Sequence, residues 1–136
     1  MTDKYASNPD FNFVFRNFPL PQHPNAPEAA EAAEAAGAQG KYWEMHDALY
    51  TGQNDWADVA DPTSFFVQYA TTIGLDVTKF TADVASDKYA AVITADTNDG
   101  DKLGVDATPT IYINGVMQTT FSASALEATI DADLAK

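Results

Sequence analysis

Apolar positions along this chain switch period three times, and each switch predicts a change of element. Phe11, Phe13 and Phe15 alternate with Asn12, Val14 and Arg16. That period of two predicts a strand over residues 11–18. It stops at Pro19, Pro21, Pro24 and Pro27, which fit neither a paired strand nor a helix interior. The period then lengthens to three or four. Asn25 is placed to cap a helix, with Pro27 in the first turn and Glu28 three positions on, and the alanine-rich run ends near Gly37 or Gly40. Tyr42, Trp43, Met45, His46 and Leu49 cover one side of a second helix. Asp61 and Pro62 open another, whose stripe of Phe65, Phe66, Tyr69, Ala70 and Ile73 ends at Gly74. Asp76 caps a short helix from Val77 that buries Phe80 and Val84, and a further helix runs from about Asp87 through Tyr89, Val92 and Ile93 towards Leu103. A helical block is thus predicted over residues 25–104.

From Thr110 the period returns to two, with Ile111 and Ile113 on one face. Asn114 and Gly115 form the dipeptide preferred where both turn residues need positive φ, which predicts a β-hairpin over residues 110–121. Ser124 and Glu127 have capping-box spacing and open a last helix over 124–135, with Leu126, Ile130 and Leu134 turned inward. The order is strand, helical block, hairpin, helix, an α/β arrangement with no internal repeat, and 136 residues are expected to form a single domain.

Composition removes whole classes of function. The 20 acidic against 7 basic residues give a formal charge of −13, which repels phosphates and anionic lipid, so neither nucleic acid nor a membrane surface is an expected partner. The acids are scattered, as for a solvated surface rather than a dock for a cationic partner. No apolar run reaches membrane-spanning length, and the N-terminus lacks the basic and apolar regions of a secretory signal. Cysteine is absent. Thiol chemistry is therefore excluded for these residues, and disulfide usage gives no clue to compartment.

The remaining candidate chemistry is thin. Glu28, Glu31 and Glu34 have the spacing of a metal-ready stripe, but with few further ligands they read as one solvated helix face. His23 and His46 are the only histidines, and although Glu44 and Asp47 flank the second, no paired spacing of a closed zinc site exists, so no metal or cofactor is expected. Ser64, Ser86, Ser122 and Ser124 lack the glycines of a nucleophile elbow, which sets a Ser-His-Asp hydrolase aside. Tyr42, Trp43, Tyr50, Trp56, Phe65 and Phe66 are expected mainly in the core, with a partner-binding groove as the alternative.

Three stretches taken in order, FVFRNFPLPQHPNAPEAAEAAEAAGAQGKYWEMHDALY, GLDVTKFTADVASDKYAAV and GDKLGVDATPTIYING, resemble the DsbA-like thioredoxin-fold protein disulfide oxidoreductases over nearly the whole chain. The resemblance implies a thioredoxin-like α/β fold with a helical insertion. It also implies that the family's first core strand and the helix bearing its Cys-x-x-Cys motif are missing, so that the chain is N-terminally truncated, begins inside the domain and is redox-inactive. Thr108 and Pro109 match the residue before the family's cis-proline and the proline itself, which with Ala107 implies a loop that binds an extended substrate backbone. Without cysteines, a purely fold-defining turn is the stronger reading of that loop, and a noncatalytic peptide-binding or chaperone-like module is the alternative function. A sheet lacking its central strand leaves unpaired edges, so a homodimer or larger homo-oligomer through those edges or exchanged elements is expected. Full-length members act in the periplasm or elsewhere outside the cytoplasm, an address that no signal in this chain supports.

Overall fold

The computed structural model describes residues 2–136. The chain divides into two compact units, residues 16–104 and a second made of residues 2–15 with 105–136. The physical reason is local: the helices of 16–104 bury their apolar side chains largely among themselves.

That unit contains α2 (Ala26–Gly37), α3 (Tyr42–Thr51), α4 (Gln53–Trp56), α5 (Thr63–Thr72), α6 (Val77–Ala85) and α7 (Ala90–Lys102). The central element is α2, which packs against α3, α5, α6 and α7. Its Ala29, Ala32, Ala33, Ala35 and Ala36 are all buried, so neighbours reach it from several sides. Around it lie Met45 and Leu49 of α3, Trp56 of α4, Phe66 and Ala70 of α5, and Phe80 and Val84 of α6. The Trp56 and Phe66 rings meet edge to face at 5.4 Å.

The helix ends show which local signals are used. Asp76 caps α6 as predicted, its side chain accepting from the Lys79 N–H at 2.9 Å. Gly74, at φ +80, ends α5; its N–H and that of Leu75 return to the carbonyls of Thr71 and Ala70, closing the helix in a Schellman motif. Asn25 precedes α2 but makes no cap bond. Its buried amide nitrogen instead donates to the carbonyls of Trp56, Ala57 and Val59, tying the segment after α4 to the start of α2. The last helix opens two residues earlier than its Ser124–Glu127 spacing suggests, because Ser122 accepts from the Ala125 N–H.

Residues 11–18, expected as a strand, carry no strand assignment. A strand needs a ladder partner, and among the described residues the only sheet is the two-stranded one described below. At Asn17 the backbone N–H donates to the Asp96 carboxylate of α7 at 3.0 Å, so that group is committed to a side chain.

The second unit holds α1 (Thr2–Tyr5), β1 (Tyr112–Ile113), β2 (Val116–Met117) and α8 (Ala123–Leu134). The hairpin is far shorter than the predicted 110–121, but its turn is as read: Asn114 and Gly115 both have positive φ, 48° and 81°. Tyr5 is buried, and its hydroxyl donates to Asp131 of α8 at 2.9 Å. Each of the seven lysines and arginines of the chain pairs with a carboxylate.

Two predictions follow from α2 and from the ion pairs. Ala32→Leu should lower stability by about 1–3 kcal/mol in urea unfolding, since α2 has no free side to take the added volume. The Asp83 carboxylate accepts from Lys79 and Lys88, and these bonds hold its pKa down to about 2, below the ordinary 3.8. A lowered folded-state value stabilises the protein above the unfolded pKa, and the benefit disappears as pH falls from about 4 towards 2. Asp83→Asn should therefore be less stable than wild type at pH 7 and lose less between those two pH values.

Candidate functional site

Ala107, Thr108 and Pro109 lie in the loop between α7 and β1, and all three are exposed. The loop leaves α7 through Gly104 at φ +75, and the Thr108–Pro109 peptide bond is cis. The Thr110 hydroxyl donates to the Ala107 carbonyl at 2.6 Å, closing the turn around the proline.

Beyond the turn, Tyr112 faces Met117 and Ile113 faces Val116. The Gln118 N–H donates to the Ile111 carbonyl at 2.8 Å. Bonded and non-bonded pairs alternate along an antiparallel ladder, so the N–H and C=O groups of Thr110 and Tyr112 point away from β2. Among the described residues no hydrogen bond is made to those four backbone groups. An exposed loop is thus continuous with an open strand edge, the geometry that accepts another extended chain by backbone pairing.

The other candidates disperse. Of Glu28, Glu31 and Glu34, read as a solvated face, Glu31 is buried and the other two are half-buried. Glu31 is 4% exposed and accepts from the Tyr89 N–H at 3.0 Å, while Glu34 accepts from Asn17 Nδ2 at 2.8 Å and Glu28 from the Thr63 hydroxyl. The correction has a plain cause: α2 is surrounded, so even its polar stripe meets neighbours. Burial raises the Glu31 pKa, the Tyr89 N–H opposes that shift, and Asp87 and Glu34 add to it. His46 sits among the rings of Tyr42, Trp43 and Tyr50, with Asp47 Oδ1 at 3.0 Å from its Nδ1. Among the described residues no three His, Cys, Asp or Glu side chains converge as metal ligands. Ser122 is spent on the α8 cap, and Ser86 on the carbonyls of Ala82 and Asp83. Of the aromatics, Trp56 and Phe66 are core, whereas Trp43 and Tyr50 are exposed.

The sequence reading missed the buried charge on Asp96, which accepts from Arg16 at 2.9 Å and from both nitrogens of Asn17. No local pattern announces it, because its partners lie some 80 residues away.

A family model described as thioredoxin matches residues 2–132. The chain belongs to the thioredoxin family. Its fold is that of a thioredoxin-like oxidoreductase from Silicibacter pomeroyi DSS-3, matched with a TM-score of 0.74 at 24% identity over 99% of this chain and 75% of that one. The thioredoxin-like α/β fold here is mostly helical, with a small two-stranded sheet and no cysteine. Curated relatives include the Na(+)/H(+) antiporters NhaA 1 of Mycolicibacterium vanbaalenii, 39% identical over 112 residues, and of Mycolicibacterium gilvum, 40% over 111. These matches cover 79% and 78% of this chain but 17% of each relative, so the chain spans about a sixth of their length. The antiporter NhaA of Herminiimonas arsenicoxydans is 33% identical over 90% of this chain and 19% of its own.

The bond within this family member's loop is testable. Thr110→Val deletes the hydroxyl that reaches Ala107 and should cost about 0.5–1 kcal/mol in chemical denaturation. Thr110→Ser keeps the hydroxyl and should stay near wild type; a loss in Thr110→Ser with none in Thr110→Val would assign the effect to the methyl group instead.

Proposed function

We propose that this chain is a DsbA-like thioredoxin domain that performs no thiol–disulfide exchange itself and holds an extended polypeptide segment along Ala107, Thr108, Pro109 and the edge of β1. The observation that carries the proposal is the open edge: the outward N–H and C=O groups of Thr110 and Tyr112 adjoin an exposed loop. Such an edge gives backbone pairing that is indifferent to sequence, and the side chains beside it supply selectivity. Exchange of disulfides needs a thiolate to attack sulfur, and these residues include no cysteine.

A second reading uses the same edge. Val116, Met117 and Phe121 are exposed in this unit, so a further copy of the chain that adds its own edge would also cover apolar surface. Homo-oligomerisation and peptide capture then compete for one set of backbone groups. The antiporter relatives favour a module that accompanies another activity. No helix among the described residues is long and apolar enough to cross a membrane, and we assign no ion exchange to this chain.

Insulin reduction by the isolated chain should not exceed the buffer rate, and measurable turnover would overturn the redox-silent assignment. Titration with an unfolded cationic model peptide separates the binding readings. Pro109→Ala frees the backbone and should weaken binding about fivefold, roughly 1 kcal/mol. Unchanged affinity in a folded variant would remove the loop from the site, and a compact monomer in sedimentation at tens of micromolar would remove the oligomer.

A further inference from the structure

The hairpin turn of the second unit carries the one asparagine of the chain that is followed by glycine, Asn114–Gly115. Both residues are exposed, and both have positive φ. The Gly115 N–H makes no hydrogen bond among the described residues, and nothing lies within 4 Å of the place that a Cβ on Gly115 would occupy. The side-chain amide beside it makes one hydrogen bond. Asn114 Nδ2 donates to Asp133 Oδ2 of α8 at 2.8 Å. Lys136 and this amide hold the Asp133 carboxyl below its ordinary range, so it stays an anion at neutral pH.

These groups are the two halves of an intramolecular acyl transfer. A backbone nitrogen one residue beyond a side-chain amide closes a succinimide ring by attack on Cγ, and glycine favours this because no side chain hinders the approach and its backbone rotates freely into it. The Asp133 contact opposes the reaction in two ways. It anchors the Asn114 side chain, and an N–H donated to an anion strengthens the amide resonance that makes Cγ a poor electrophile.

We propose that Asn114 is a self-modification site, at which the Gly115 nitrogen displaces ammonia and water then opens the ring to aspartate or isoaspartate, with the Asp133 contact setting the rate. In the first step the Gly115 nitrogen loses its proton and bonds to Asn114 Cγ, and the Cγ–Nδ2 bond breaks as ammonia leaves. In the second, water adds to one of the two ring carbonyls, and the bond from that carbonyl to the ring nitrogen breaks. Opening at Cγ leaves an aspartate, whereas opening at the backbone carbonyl leaves an isoaspartate, with the main chain routed through the former side chain.

Either product changes the hairpin. A carboxylate at this position puts a like charge where Asp133 accepts a donor. An isoaspartate also adds a backbone atom to a two-residue turn, which the Tyr112–Met117 and Ile113–Val116 pairs cannot absorb without a change of register. The open edge of β1 is then lost, so the modification limits how long that edge persists. The chemistry itself needs neither the redox assignment nor peptide binding at Pro109.

The test incubates the full chain in mildly alkaline buffer and follows ammonia release, the masses of proteolytic fragments and the position of isoaspartate. Conversion at Asn114 should outpace that at Asn54 and Asn98, each followed by aspartate, by about tenfold or more. Asp133→Ala should speed conversion about threefold, the rate equivalent of one net hydrogen bond. In the isoaspartate product, the Gln118 N–H, which donates across the hairpin to Ile111, should exchange with deuterium faster than in unreacted chain. Earlier conversion at Asn54 or Asn98, or none at Asn114, would overturn the site. An unchanged rate in Asp133→Ala would overturn the restraint, and unchanged exchange at Gln118 the effect on the edge. Should Asp133→Ala not fold, Asp133→Asn, which keeps an acceptor without the charge, should also speed conversion and decides the same point.

Discussion

Residues 16–104 depend on how closely other helices approach α2. Five of its alanines are buried, and a methyl group is the largest side chain those contact points accept. Interiors are packed to crystal density, so small residues on several faces of one helix leave room that larger residues of its neighbours must fill. Met45, Phe66 and Phe80, the largest fully buried side chains, do so from three different helices. Helix propensity and packing agree here, since alanine both favours the helix and permits the approach.

An alanine helix supplies little apolar area of its own, and polar groups fix how its surroundings meet it. Asn25 gathers three carbonyls from the segment after α4. Asn17 joins Asp96 of α7 to Glu34 of α2. Glu31 takes the amide just before α7. Each is a buried side chain satisfying a group from another segment, and a directional bond distinguishes one helix arrangement from its alternatives more sharply than apolar contact does. Of these polar residues, Glu31 also lines a cavity bordered by α2, α5, α6 and α7.

Local chemistry was legible where one residue decides the outcome. Gly74, Asp76 and the Asn114–Gly115 turn all act within a few positions of themselves, and each is as read from the sequence. The misreadings share a different cause. Phe11 to Phe15 alternate as a strand does, but pairing depends on a neighbour that no local pattern encodes. Glu28, Glu31 and Glu34 look solvated until the alanines on every side of them are taken to mean a helix enclosed all round. Asn25 has cap chemistry and cap position, yet its amide nitrogen donates to the carbonyls of Trp56, Ala57 and Val59 and its oxygen makes no cap bond. Of the loop at Pro109, the family resemblance supplied the position; the open edge beside it emerged only from the hairpin register.

The pairing of every lysine with a carboxylate has a consequence for the chemistry of amines on this surface. An isolated surface pair contributes little stability, so none of these contacts is individually decisive. Together they mean that no lysine is spare. Acylation or cross-linking at any one of them must break an existing contact and deepen an already large charge imbalance, so the modified protein is not the native one with a tag attached. Carboxylates, by contrast, are so numerous that conjugation through them leaves most of the electrostatic pattern as it was.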